Sequence, residues 1–155
     1  MTYPKKELKK YLKSLWKGKE ALDTFSFEYL SGHSSYHTRL KILVTSTKIV
    51  HTRIPRGVAV DSAEEGNKAV VRELEFSSDE LALFVDELVK KKIWDLENCT
   101  ERALPDTALI TFFIRKNDEI IFKQETWESC RNDDNRTKEL IRALSAVIPQ
   151  DWTPP

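Results

Sequence analysis

The sequence predicts an α+β fold: a mainly antiparallel sheet of about six strands with three helices, in the order α-β-β-β-β-α-β-β-α. Three observations predict it. Strand-like alternation runs through residues 25–76 with no helical crossover between strands, which favours antiparallel pairing. A well-punctuated amphipathic helix follows over 76–96. A second alternating pair, Thr107 to Trp127, then reads as a hairpin before a closing helix. Helices gathered largely on one face of such a sheet make a two-layer sandwich. The whole chain, 1–155, reads as one domain, with the basic segment 1–20 peripheral to it.

Residues 5–17 form the first helix. Leu8, Tyr11, Leu12, Leu15 and Trp16 make one stripe, Lys5, Lys6, Lys9, Lys10, Lys13 and Lys17 fill the rest, and Gly18 is a stop. Phe25, Phe27 and Tyr29 alternate with Ser26, Glu28 and Leu30 in a first strand. Tyr36, Thr38, Leu40, Ile42 and Val44 define a second, Lys48 to Ile54 a third after the turn Thr45-Ser46-Thr47, and Lys68 to Phe76 a fourth. Pro55 to Asn67 is a long acidic loop.

The helix after it is the best-specified element. Ser77 and Glu80 form a capping box, and Phe76 and Leu81 stand at the positions of a hydrophobic staple. Leu81, Phe84, Val85, Leu88 and Val89 recur at helical spacing, Lys90 to Lys92 fall at the negative end of the dipole, and Trp94 and Leu96 close the core. In the hairpin, a three-residue connection at Asn117-Asp118-Glu119 puts Ile110, Phe112, Ile114, Ile120 and Phe122 on one face. Thr111, Arg115, Lys123 and Glu125 share the other. Leu140, Ile141, Leu144, Val147 and Ile148 stripe the last helix, which Pro149 ends.

Composition narrows the functional classes. Leu, Ile, Val and Phe together number 42 of 155, enough for a packed core rather than a disordered chain. Acidic and basic residues balance at 25 each, so no global field draws in nucleic acid. The balance is uneven, however: residues 1–20 hold seven Lys and two Glu, a net of +5. No apolar run approaches the roughly 20 residues that span a bilayer, and the Lys-rich start lacks the apolar stretch of a signal peptide. A soluble cytoplasmic protein with reduced Cys99 and Cys130 is the expectation. On that footing the sequons at Asn98 and Asn135 are chance matches.

No catalytic constellation emerges. His33, His37 and His51 do not converge on the expected strands; pairing across Thr45 to Thr47 puts His51 near Lys41, and all three read as partly exposed polar residues. Ser34 and Ser35 lie beside His33 without a nucleophile elbow. The acids at Asp79-Glu80, Asp86-Glu87 and Asp133-Asp134 are explained by capping, a solvated face and a helix entry; only Glu64-Glu65 lies in a long loop. The four glycines form no phosphate-cradling loop. Nothing points to a cofactor or a metal.

Two surfaces carry functional expectations. Lys6, Lys9, Lys10 and Lys13 could hold the first helix on an anionic membrane or nucleic acid, although lysines without arginine read phosphate poorly. Docked on the sheet, the same helix has a rim of extended lysines around a buried stripe. Leu109, Phe113 and Trp127 project from the polar face of the hairpin, Leu109 opposite Trp127. Exposed, they are an anchor for a protein partner or a second copy; covered by the first helix, they are core.

The strand region, the capped helix ending in Ile93-Trp94-Asp95-Leu96, the hairpin and the closing helix resemble a set of small uncharacterised α+β proteins. Their helix likewise ends in an aromatic-Asp-Leu motif. The pattern is also similar to emfourin-type metalloprotease inhibitors. It covers about residues 25–148, with Trp94-Asp95-Leu96 as its local motif. The first helix and the acidic loop are additions here, and no functional residue carries over. The resemblance implies a binding or inhibitory module. The leading expectation is thus a non-enzymatic protein-binding or regulatory module. The alternatives are a ligand-binding protein or enzyme with a pocket between helices and sheet, and anionic association through the first helix.

Overall fold

Residues 5–33, 38–53, 70–96, 108–127 and 135–152 are described by the structure, a computed structural model; the side chains of His33, Thr38, Arg39, Ala108 and Trp127 lie outside that description. The helices are α1 (Lys5–Trp16), α2 (Ser78–Lys90) and α3 (Asn135–Ser145). The strands are β1 (Phe25–His33), β2 (Thr38–Val44), β3 (Lys48–Arg53), β4 (Val70–Glu75), β5 (Ala108–Lys116) and β6 (Glu119–Trp127). Short 3-10 turns cover Leu22–Thr24, Ile93–Asp95 and Gln150–Trp152. The order matches the expectation. The strands form one sheet, β4-β3-β2-β1-β5-β6, antiparallel at every seam.

Alternation decides which face is buried. Phe25, Phe27 and Tyr29 on β1, Ile42 and Val44 on β2, Ile49 on β3, and Ile110, Phe112 and Ile114 on β5 all face the helices and are buried. Phe84 of α2 meets Phe27 edge-on at 5.1 Å between ring centroids, and Phe27 lies 5.8 Å from Phe112. Tyr11 of α1 stacks on Phe25 at 6.4 Å. The three described helices therefore share one face, and the stripe Leu8, Tyr11, Leu12, Leu15 of α1 is spent inside the core.

The helix ends are set as their residues dictate. Gly18 takes φ 75°, which only glycine adopts without strain. There its N–H donates to the Leu15 carbonyl at 3.2 Å and that of Lys19 to Ser14 at 2.8 Å, satisfying the last turn of α1. At the start of α2, Glu80 N–H donates to Ser77 Oγ at 3.1 Å and Ser77 N–H to Glu80 Oε1 at 3.4 Å, completing the capping box. At its end Lys92, not a glycine, holds the left-handed conformation at φ 48°.

Four expectations need correction. The β5–β6 turn uses two residues, Asn117 and Asp118, both at positive φ, with Lys116 opposite Glu119. A bulge after Arg115 and Ile120 then restores the expected register, Ile114 to Phe122 and Phe113 to Lys123. As a result Ile120 pairs with Arg115, and Ile121 packs against the core in its place. In the β2–β3 hairpin Lys41 pairs with Thr52, one residue away from the expected match, because Val44 and Ile49 are both buried only in this parity. His51 thus faces inward opposite Ile42 and is buried rather than partly exposed. Trp16 is 49 % exposed instead of joining the buried stripe. Finally α3 ends at Ser145, so Val147 and Ile148 pack beyond it and Pro149 is not its terminator.

A polar seam joins α3 to the rest. Gln124 and Thr126 of β6 take the core-facing positions opposite Phe112 and Ile110, and meet Thr137 of α3. Gln124 Nε2 donates to Thr137 Oγ1 at 2.9 Å, and Thr137 Oγ1 donates to Thr126 Oγ1 at 3.0 Å. Arg136, also buried, donates to Gln124 Oε1 at 3.3 Å and to the carbonyls of Trp94 at 3.3 Å and Leu96 at 2.7 Å. Its guanidinium lies 5.5 Å from the Phe122 ring centroid.

Two stability predictions follow. Arg136→Ala leaves the buried Trp94 carbonyl, the partly buried Leu96 carbonyl and an amide oxygen without this donor, so unfolding free energy should fall by about 2–4 kcal/mol in a denaturant titration. Lys92→Gly relieves a left-handed lysine and should raise it by about 0.5–1 kcal/mol in the same assay.

Candidate functional site

The face of the sheet turned away from the helices is the strongest candidate. Period-two alternation brings Leu30 and Glu28 of β1, Lys41 and Leu43 of β2, Val50 of β3, Val71 of β4 and Leu109, Thr111, Phe113 and Arg115 of β5 to it. No described helix lies on this face. The alternative of Leu109 and Phe113 as core beneath the first helix therefore falls away, since α1 packs on the other side. Phe113 and Leu109 are half-buried, and Leu109 is directly opposite Trp127. Leu30, Leu43 and Val50 are half-buried and Val71 is 57 % exposed, so the face is more apolar than the hairpin alone suggested.

Charge is organised around Phe113. Glu28, its register partner on β1, is buried to 6 % exposure. One carboxylate oxygen meets Arg115 Nη1 at 3.2 Å and the other meets Lys41 Nζ at 3.2 Å. Arg115 lies 4.7 Å from the Phe113 centroid and Lys123 5.7 Å, so the ring is flanked by two cations. Lys123 in turn meets Glu125 at 2.7 Å. A carboxylate held by two cations fixes the rotamers around the ring, giving a preorganised apolar centre with a charged rim.

Of the lysines singled out in the sequence, Lys6 and Lys9 are exposed on α1 and Lys13 is half-buried. Lys10 is exposed and borders a cleft of about 140 Å³ with Glu7, Tyr11, Ser14, Glu20, Lys116 and Ile121. Lys116 donates to Glu20 at 2.8 Å, and burial pushes the Tyr11 phenol up to about 12 against a hydrogen bond to Thr24. The cleft has room for a handful of waters and is well below the ~300 Å³ at which ligand sites begin. Among the described residues no three His, Cys, Asp or Glu side chains gather as metal ligands. No described helix is long and apolar enough to cross a membrane. His37, Cys99, Cys130, Glu64 and Glu65 lie outside the described residues, as does the side chain of His33.

Sequence reasoning missed a cluster at the β3–β4 edge. His51 lies tilted against Trp152 at 5.2 Å between ring centroids, and the Arg72 guanidinium lies 5.2 Å from the same ring and 3.1 Å from Asp151. His51 Nδ1 has no hydrogen-bond partner among the described residues. Burial first, then Arg72 and Arg53, hold its imidazole below the ordinary histidine value, against a smaller pull from Asp151. The alternation of His51 with Ile49 was the signal that could have revealed its inward position.

A pH dependence follows. The unfolded chain binds a proton at His51 more readily than the folded one. The stability this histidine contributes is thus complete above its unfolded pKa of about 6.5 and is lost as pH falls through the lowered folded value. Denaturation midpoints at about pH 7.5 and 5.5 should differ more in the wild type than in His51→Phe, which keeps a ring against Trp152.

The sequence matches no protein-family model, and no curated protein matches it.

Proposed function

We propose that this protein is a protein-binding or regulatory module that engages its partner through the face of the sheet on which no described helix packs. One observation carries the reading. Every described helix packs on one side, while the other keeps Phe113, Leu109, Leu30, Leu43, Val50 and Val71 incompletely covered around the Glu28 ion pairs. A rigid aromatic centre within an apolar surface, bordered by charge, is the composition of a protein-interaction hot spot. The inhibitory role implied by the resemblance to emfourin-type proteins is one form of this reading, with Phe113 as the anchor.

The test is comparative capture from native lysate with wild type, Phe113→Ala and Phe113→Glu. A partner retained by wild type should weaken at least about ten-fold with Phe113→Ala and vanish with Phe113→Glu, because truncating a hot-spot residue costs about 2 kcal/mol or more. Thermal melts guard against a trivial loss of fold. A captured protein bound equally by all three forms would remove the sheet face from the interaction.

A further inference from the structure

We propose that the outer surface of the helical layer is a second docking face, for an anionic lipid bilayer. It is centred on α1, with Trp16 at its border with α2, and lies on the opposite side of the sandwich from Phe113. Lys6, Lys9 and Lys13 occupy the side of α1 away from its buried stripe, and Lys17 follows its last residue. Among the described residues none of these four has a carboxylate within 4.0 Å, whereas Lys5, Lys90 and Lys91 are paired with Asp95, Asp86 and Glu139. Their charge is therefore directed to solvent rather than consumed inside the molecule.

Apolar area stands among these lysines. Trp16 is 49 % exposed, and its indole N–H donates to Asp86 Oδ1 on α2 at 2.8 Å. That bond lays the ring across the junction of the two helices. Leu83, one turn before Asp86 on α2, is 64 % exposed. Lys90, one turn after it, meets the same carboxylate at 2.7 Å, so Asp86 is neutralised, while Asp79, Glu80 and Glu87 stand within a turn of Leu83 on the α2 side. Trp16 is thus an exposed ring on the lysine-rich side of α1, and Leu83 stands apart from it among the carboxylates of α2.

That combination fits a bilayer surface better than other anions. Tryptophan settles at the headgroup level, and lysines extend their charge along the surface while their stems cover apolar area. Nucleic acid would find no arginine on α1 to fork onto phosphate, and no free helix to enter a groove, because α1 is fixed against α2. The apolar stripe of α1 is already buried, so the contact is shallow adsorption by a folded surface rather than insertion of the helix. Each lysine at an anionic surface contributes roughly a five-fold factor in partitioning, within a Debye length of about 8–10 Å.

The full chain is co-sedimented with vesicles of phosphatidylcholine alone and of phosphatidylcholine with roughly one third phosphatidylserine. Binding should require phosphatidylserine and weaken steeply with salt. The triple variant K6Q/K9Q/K13Q should bind at least about ten-fold more weakly, and K6R/K9R/K13R should retain binding. Lipid-borne quenchers should dim wild-type tryptophan emission, and Trp16→Phe should remove that quenching. Phe113→Ala should bind vesicles as wild type does, which separates this surface from the proposed protein-binding face. Absence of vesicle binding, binding indifferent to the glutamine variant, quenching that persists without Trp16, or capture of duplex DNA in place of vesicles would each overturn the proposal. Circular dichroism melts confirm that the variants remain folded.

Discussion

The architecture depends on one buried side chain. Arg136 reaches from the first turn of α3 to the carbonyls of Trp94 and Leu96, which follow α2, and to Gln124 in the edge strand β6. Apolar burial is non-directional and would hold α3 near the sheet without fixing its angle. Hydrogen bonds are directional, and buried carbonyls need donors. The guanidinium therefore sets where the end of α2 sits relative to α3. Through α2 it also sets where Phe84 meets Phe27 and Phe25. Gln124, Thr126 and Thr137 extend the same polar seam, trading apolar area for a unique docking geometry.

Most of the fold was legible because its signals are local. The Ser77–Glu80 box, Gly18 and the stripe on α2 each carry their meaning within a few residues. Pairing registers were legible where parity was strong: Phe112, Ile114 and Phe122 could face the core in only one way. Connections were less legible, since their length and the bulge compensate each other. A two-residue turn plus one extra residue in β6 gives the register that a longer turn would have given. The β2–β3 turn shows the same ambiguity, and a shift of one residue there moved His51 from surface to core.

Long-range polar partnerships were not legible. Glu28 reads as an exposed strand residue until Arg115 and Lys41 are brought to it. Trp16 fitted the apolar stripe by spacing, but α2 offered Asp86 as a partner for its N–H and drew the ring to the surface. Arg136 and Thr137 lie one turn before Leu140 and Ile141, so a stripe extended backwards would have placed Thr137 inside. Nothing local announces that an arginine beside it would be buried too. Both proposed contact surfaces rest on such long-range placements, which is why sequence alone could name Phe113 and the lysines but not their surroundings.

The position of β1 has a kinetic meaning. Strands β1 to β4 are joined by successive antiparallel pairings, and β5 and β6 by a tight turn. Within the sheet these two groups meet along a single seam, β1 against β5. Glu28 and Arg115, which bridge that seam, are 87 positions apart. Closing so long a loop is slow compared with forming either group, so the seam completes late in folding. Until it closes, each group presents an open edge with Phe27, Tyr29, Phe112 or Ile114 beside it, the form in which strands pair with the wrong chain. The Glu28–Arg115 pair then acts as the clasp of the sheet, joining two chain segments whose separate edges are its main hazard.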